Sequence, residues 1–212
     1  MDPEKIEVSP SKRYELLLST SETKRGFWNC THATVWRGKE LVAKVYRNYP
    51  SFPFLWIEDH PNSHDYLVCG ENYQGQTVIE LDTNARRDFL PDEAKEGFGF
   101  CWNAYEFDRA SQILAVKGCI WGAPYQYRFY DFSDPVKKWP EIVAEQPVLA
   151  ESSMAPIFMP DSTIICPETS EDDDDPHPQV IATRTFRRNG PTFQLVDQWV
   201  SDGEKLRREA KR

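Results

Sequence analysis

Short apolar runs, separated by Gly, Pro, Asn, Asp and Ser, recur along the chain in pairs: YELLLST with THATVWR, DYLVCGE with QTVIELD, QILAVKG with YQYRFYDF, and STIICPE with QVIATRTF. Their β-branched and aromatic content and their length predict strands, and each pair reads as a hairpin. Another apolar-aromatic run precedes each pair in turn: IEVSPS, FPFLWIEDHP, GFGFCWNAYEFD and APIFMPD. A fourth strand follows in KELVAKV, RRDFL, PEIVAE and FQLVDQW. Between the first and second runs lie SPSKRY, HPNSHDY, FDRASQ and MPDST, built from the residues that favour tight turns. Helix is scarce. LPDEAKEG, with Pro91 suited to a first helical position and Gly97 to a stop, predicts a turn or two.

The unit therefore repeats. Leu67 falls opposite Leu114 and Asp82 opposite Asp131, a spacing of about 50 residues, as in the blades of a β-propeller. Apolar run, turn, apolar run, loop and a strand ending in Leu-Asp or Tyr-Asp resemble the blade of Trp-Asp (WD) repeat and related propellers. Trp36-Arg37, Leu81-Asp82 and Tyr130-Asp131 stand where that family has its Trp-Asp pair, and no Gly-His pair precedes them. Over about residues 6 to 140 the chain also resembles a group of uncharacterised, mainly bacterial proteins through HDYLVCGENYQGQTVIELDT and FYDFSDP. These likenesses imply an all-β, propeller-like array of about four antiparallel blades, and no assigned activity. The expected organisation is a single domain over residues 1–202, with an acidic hairpin loop at 169–178 and a basic tail at 203–212. Blade edges left open in a small array must be covered, so a compact ring and an open array that forms a homodimer through those edges are both compatible with the pattern.

Composition narrows the partners. With 40% hydrophobic and 13% aromatic residues in 212, the chain can bury a core, and a formal charge of −9 opposes binding to nucleic acid or an anionic membrane. No apolar run reaches the roughly 18 residues of a spanning helix, and MDPEKIEVSP carries no signal-peptide stretch, so a cytoplasmic location is expected. The five Cys form no C-x-x-C pair; Cys69, Cys101, Cys119 and Cys166 lie in or beside strand-like runs and read as reduced, buried thiols. No nucleophile elbow, Walker loop, dinucleotide fingerprint or H-E-x-x-H occurs, so no catalytic residue and no cofactor are assigned.

The candidate chemistry lies in the loops between second and third strands: ETKRGFWNC, ENYQG and the Gly118–Tyr125 stretch GCIWGAPY. Loops at equivalent positions emerge at one end of the fold, which brings Phe27, Trp28, Tyr73, Trp121 and Tyr125 towards one another. With Asn29, Glu71, Asn72, Gln74 and Gln126 nearby, these rings suit recognition of a peptide, protein or glycan, and equally suit a lid on the core. Trp28, Asn29, Glu71, Tyr73, Gln74, Trp121 and Tyr125 form the expected binding set of a non-catalytic module. The rival is a hydrolase with a carboxylate pair drawn from Glu71, Asp82 and Asp131, although an Asx turn accounts for the latter two. In EDHPNSHD, His60, His64, Asp59 and Asp65 offer metal-ligand atoms, but Pro61, Asn62 and Ser63 make the segment a turn, and no metal is assigned. Cys30 and His32 share one side of a strand, where packing is the expectation. Trp56 and Trp102, in FLWI and FCW, are expected at equivalent core positions. The run EDDDD has no Gly to turn a calcium loop and reads as solvated.

Overall fold

The computed structural model describes residues 5–121, 125–137, 142–147 (main chain only), 156–159, 163–169, 179–189 and 192–203. Most of the acidic hairpin loop and of the basic tail lies outside these residues.

All sixteen expected strands form, in four antiparallel sheets, each a meander of four consecutive strands. Sheet I holds β1 (Lys5–Val8), β2 (Glu15–Glu22), β3 (Asn29–Arg37) and β4 (Glu40–Arg47). Sheet II holds β5 (Leu55–Ile57), β6 (Tyr66–Cys69), β7 (Gln76–Glu80) and β8 (Ala85–Phe89). Sheet III holds β9 (Phe100–Asp108), β10 (Ile113–Ile120), β11 (Gln126–Asp131) and β12 (Ile142–Pro147). Sheet IV holds β13 (Ile157–Phe158), β14 (Thr163–Thr169), β15 (Val180–Asn189) and β16 (Thr192–Val200). The helical signal becomes a single 3₁₀ segment, Asp92–Glu96, capped by Gly97 in the left-handed region at φ 84°. Pro91 precedes it rather than occupying its first position.

Successive sheets stack face to face. Leu16, Val35 and Val45 of sheet I meet Leu67, Cys69 and Ile79 of sheet II. The other face of sheet II, with Tyr66, Val68 and Val78, meets Trp102, Leu114, Val116 and Tyr130 of sheet III. Ile113, Ala115 and Phe129 on the far face of sheet III meet Ile164, Cys166 and Phe186 of sheet IV. Because sheets II and III are covered on both faces, YLVC and ILAV are unbroken apolar runs. Among the described residues only one face of sheet I joins a core cluster, and its β3 alternates, with His32 exposed between buried Thr31 and Ala33. Among the described residues no core cluster joins sheet IV to sheet I.

At one end of the stack, polar side chains lock the turns between first and second strands. Asp65 accepts from the Tyr14 hydroxyl at 2.8 Å, from Arg13 Nη1 at 2.9 Å and from the Asp59 N–H at 2.9 Å, tying sheet I to sheet II. Glu58 accepts from the Ser9 hydroxyl at 2.9 Å and the Ser11 N–H at 2.8 Å. His60 is buried; its Nε2 lies 3.0 Å from the Phe132 carbonyl, its Nδ1 accepts from the Asn62 N–H, and its ring stacks on Phe107. Desolvation pushes its pKa down despite these hydrogen bonds, leaving a neutral imidazole that joins sheets II and III.

Three local expectations are corrected. Trp102 is buried, but Trp56 is only partly so, stacked on Tyr14 at 6.2 Å. Register explains the difference: Trp56 lies opposite Leu67, whose counterpart Leu114 lies opposite Phe107, so Phe107 and not Trp102 occupies the equivalent place. Gly118 belongs to β10 rather than to the loop. It sits at a bulge where a Cβ would come within 2.1 Å of the Cys101 carbonyl oxygen, so no larger residue fits there. Asp131 makes the expected Asx turn, its Oδ1 accepting from Ser133 N–H at 3.0 Å. Asp82 instead reaches across the sheet to Asp65 N–H and to His64.

Candidate recognition surface

In an antiparallel meander the second-to-third loop and the end of the fourth strand lie at the same end of the sheet. Trp28 leaves the β2–β3 loop there, Tyr49 follows β4, Tyr73 lies between β6 and β7, and Trp121 follows β10. The four rings meet. Trp28 lies 5.2 Å from Tyr49 and 5.5 Å from Trp121, centroid to centroid; Tyr73 lies 5.7 Å from both Tyr49 and Trp121. Tyr49 and Trp121 close the set at 6.3 Å, edge to face. These separations are those of aromatic pairs in direct contact, so the rings form a continuous patch and not an open cage. Trp28 is 55% exposed and Trp121 52% exposed. Each indole therefore keeps about half of its surface for something else.

Backbone hydrogen bonds fix the patch from below. Thr31 Oγ1 donates to the carbonyls of Tyr49 and Pro50 at 2.9 and 3.1 Å, and Asn48 N–H donates to the Glu71 carbonyl at 3.2 Å. Asn48 Oδ1 in turn accepts from Tyr73 N–H at 3.0 Å, and Asn72 Oδ1 accepts from Gln74 N–H at 2.9 Å. Sheets I and II thus hold Tyr49 and Tyr73 in one frame.

The structure sorts the expected binding set. Trp28, Tyr73 and Trp121 come together. Tyr49 joins them although the strand pairing did not single it out; it follows the fourth strand instead of lying in a hairpin loop, and NYPSFPF, rich in Pro and aromatics, was its sequence signal. Phe27 stays apart, exposed, with Lys24 Nζ 5.3 Å from its ring centroid. Tyr125 lies under Lys117 at 5.6 Å. Asn29 opens β3 opposite Glu22. Glu71 pairs with Arg86 at 2.8 Å, and the same guanidinium holds Asp88 and the Lys44 carbonyl. Gln74 is buried, its Oε1 accepting from Gly99 N–H at 2.7 Å, so it braces the segment before β9.

Two depressions flank these elements. One, of about 480 Å³, lies beside Trp28 between Phe27, Cys30, Tyr46 and Asn48. Another, of about 410 Å³, runs between sheets II and III under the 3₁₀ segment and is lined by Gln76, Phe98, Trp102 and Arg128. A third cleft, of about 510 Å³, lies at the opposite end among Arg13, Arg37, Arg109, Asp59, Asp65 and Asp82.

Next to that third cleft, His64 Nδ1 lies 2.7 Å from Asp82 and 3.5 Å from Glu80, the three ligand atoms falling within 4.8 Å of one another. Three such donors could hold a divalent ion. The Asp82 hydrogen bond also raises the His64 pKa, favouring the protonated ring beside the carboxylates. Burial by itself would raise the Asp82 pKa, but His64 and two backbone N–H groups outweigh it and hold the carboxyl below its usual range. Glu80 is braced by the Tyr66 and Thr83 hydroxyls. Cys30 is buried, whereas His32 is exposed and bonded to Ser21 Oγ at 2.8 Å, so the two do not form a paired nucleophile and base. Of the four thiols expected to be buried, Cys69 and Cys166 are, whereas Cys101 and Cys119 are half-buried; burial raises the thiol pKa of Cys69 to about 12 and of Cys101 to about 11. Among the described residues no helix is long and apolar enough to cross a membrane.

No protein-family model matches the chain. An uncharacterised protein of Acanthamoeba polyphaga mimivirus is 36% identical over 137 residues, 64% of this chain and 53% of the viral protein. The chain thus spans about half the length of that relative, which is viral and not bacterial. Among solved structures, an uncharacterised protein from Listeria monocytogenes aligns over 89% of this chain and 62% of its own at 13% identity, with a TM-score of 0.40.

Proposed function

We propose that the protein is a non-catalytic recognition module, a propeller-like array of four blades that presents the Trp28–Tyr49–Tyr73–Trp121 patch to a ligand. The observation that carries this reading is the convergence of four rings from two sheets and a third sheet's hairpin at one end, with both indoles half exposed. A lid on a core would bury its indoles. The buried cores lie between the sheets and already contain their own aromatics, Tyr66, Trp102 and Phe129 among them. Aromatic patches fixed by backbone hydrogen bonds lose little entropy on binding and are enriched at energetic centres of interfaces. The rival hydrolase would need two facing carboxylates, one with a raised pKa. In the polar cleft Asp82 is shifted the other way, and Asp65 is held by Arg13 and Tyr14.

The test pairs stability with binding for Trp121→Ala. Half of the indole is already in water, so the variant should lose no more than about 2 kcal/mol of stability. Binding to peptide and glycan arrays should fall at matched folded fraction. Loss of several kcal/mol with unchanged array binding would end the recognition reading. Sedimentation at micromolar concentration addresses the blade edges separately: a strict monomer removes dimerisation through them.

A further inference from the structure

Gln76, the first residue of β7, is 4% exposed and lies on the face of sheet II that packs on sheet III, two positions before the core residue Val78. An apolar side chain would fill such a place. Its Nε2 donates to the Phe100 carbonyl at 3.3 Å, the one hydrogen bond that this amide makes with a described residue. Only the nitrogen can donate to a carbonyl, which fixes the oxygen as the end left over. Oε1 therefore accepts from no described residue, yet it is not sealed and keeps accessible surface. The space it meets is the cleft of about 410 Å³ between sheets II and III, of which Gln76 forms part of the wall.

The rest of the wall is largely aromatic. Buried Phe100, Trp102 and Tyr130 line it from sheet III, while Phe89 and Phe98, both exposed, stand at its mouth. The Phe98 N–H donates to the Glu93 carbonyl at 2.9 Å across the turn that Gly97 caps, so the mouth is shaped before anything enters. Arg128, 4.1 Å from the Phe100 ring centroid, and Glu93 add one charge of each sign to the lining. The lining thus carries no net charge and favours neither a cation nor an anion. Small-molecule pockets share this make-up: roughly 300–1,000 Å³, mainly apolar walls and a few polar groups that set the ligand's orientation.

We infer that this cleft is a binding site separate from the aromatic patch, with which it shares no residue, and that it takes an uncharged planar aromatic molecule whose N–H or O–H donates to Gln76 Oε1 while the ring packs among the cleft's own rings. A ligand that covered Oε1 without a donor would strip its water and return nothing. An N–H heterocycle and a phenol share the required chemistry.

Two matched pairs test it by isothermal titration calorimetry: indole with benzofuran, which has the same shape and a ring oxygen in place of the N–H, and phenol with fluorobenzene. Each donor should bind about tenfold tighter than its partner, because an acceptor desolvated without a donor loses its water and gains nothing. That preference should vanish in Gln76→Met, which keeps the length of the side chain without the acceptor. It should persist in Trp121→Ala, which alters the patch alone. Phe98→Ser, a change at an exposed position of the mouth, should weaken both donors several-fold and leave the protein folded. A larger ratio for indole over benzofuran assigns the site to N–H heterocycles; a larger ratio for phenol over fluorobenzene assigns it to phenols. These ratios in wild type need no variant, so they stand even if Gln76→Met fails to fold. Equal binding within both pairs, or no saturable binding of indole or phenol up to about 10 mM, overturns the inference. It falls too if the donor preference survives in Gln76→Met, or if Trp121→Ala abolishes binding, which would put the ring on the exposed patch.

Discussion

Replacing Trp102 with Ala examines the stacking of sheets II and III. The indole is 4% exposed, 4.8 Å from Tyr130 and 5.8 Å from Tyr105, in the cluster that also contains Tyr66, Val68 and Leu114. A buried Trp removes up to about 250 Å² from water, worth about 6 kcal/mol at roughly 25 cal/mol per Å². Residual burial in the unfolded chain trims this by roughly 10–40%. The methyl that Ala retains trims it further, while the cavity left between rigid sheets adds a cost, so the expected loss is about 3–5 kcal/mol. Urea unfolding followed by far-ultraviolet circular dichroism measures it, the denaturant slope showing whether the unfolded ensemble is unchanged. Trp56→Ala serves as the internal comparison and should cost less, because Trp56 is only partly buried at the margin of the first core. A Trp102→Ala midpoint within error of wild type at an unchanged slope would refute the packing argument. Equal losses at the two sites would refute the register that distinguishes them.

Other outcomes follow from single contacts. Gly118→Ala should cost about 3 kcal/mol or more in thermal unfolding, since its Cβ would meet the Cys101 carbonyl and the Phe100 ring and force β9 from β10. Gln74→Ala should cost about 1–3 kcal/mol by leaving the buried Gly99 N–H without an acceptor, and it should not alter ligand binding at matched folded fraction. The His64–Asp82 pair sets a pH window. His64 has a pKa raised above its ordinary 6.5, so its contribution is complete below about 6.5 and is lost as pH rises through the folded value. Asp82 is lowered below 3.8, so its contribution is present above that pH and is lost as pH falls through the folded value. Stability curves of wild type and His64→Gln should therefore differ most between about pH 4 and 6.5 and converge as pH rises through the folded pKa of His64; curves parallel across that range would contradict the pair.

The sequence by itself determined the local order of this protein. Short β-branched and aromatic runs, Pro- and Asp-rich turns and a spacing of about 50 residues specify sixteen strands and four meanders, because strand formation and tight turns depend on neighbours in the chain. It also carried a trace of the stacking order. YLVC and ILAV lack alternation because sheets II and III are covered on both faces, whereas NCTHATVW alternates in sheet I, which among the described residues packs on one face. Three of the four patch rings were legible as hairpin-loop residues. Tyr49 was not, since it enters from the end of a fourth strand and meets the others only once sheets I and II are stacked. The same holds for Gln74, which reads as a surface polar residue and is buried by a contact 25 positions away. Tertiary structure alone decided that Trp102 packs fully and Trp56 does not, because strand register is set by cross-strand pairing and a bulge at Gly118. It alone decided that Arg47 is buried and donates from Nη1 to the carbonyls of Gly70 and Asn72. In sequence Arg47 is one basic residue ending a strand, and its burial comes with the β6–β7 segment of sheet II packing against it, which no local pattern encodes.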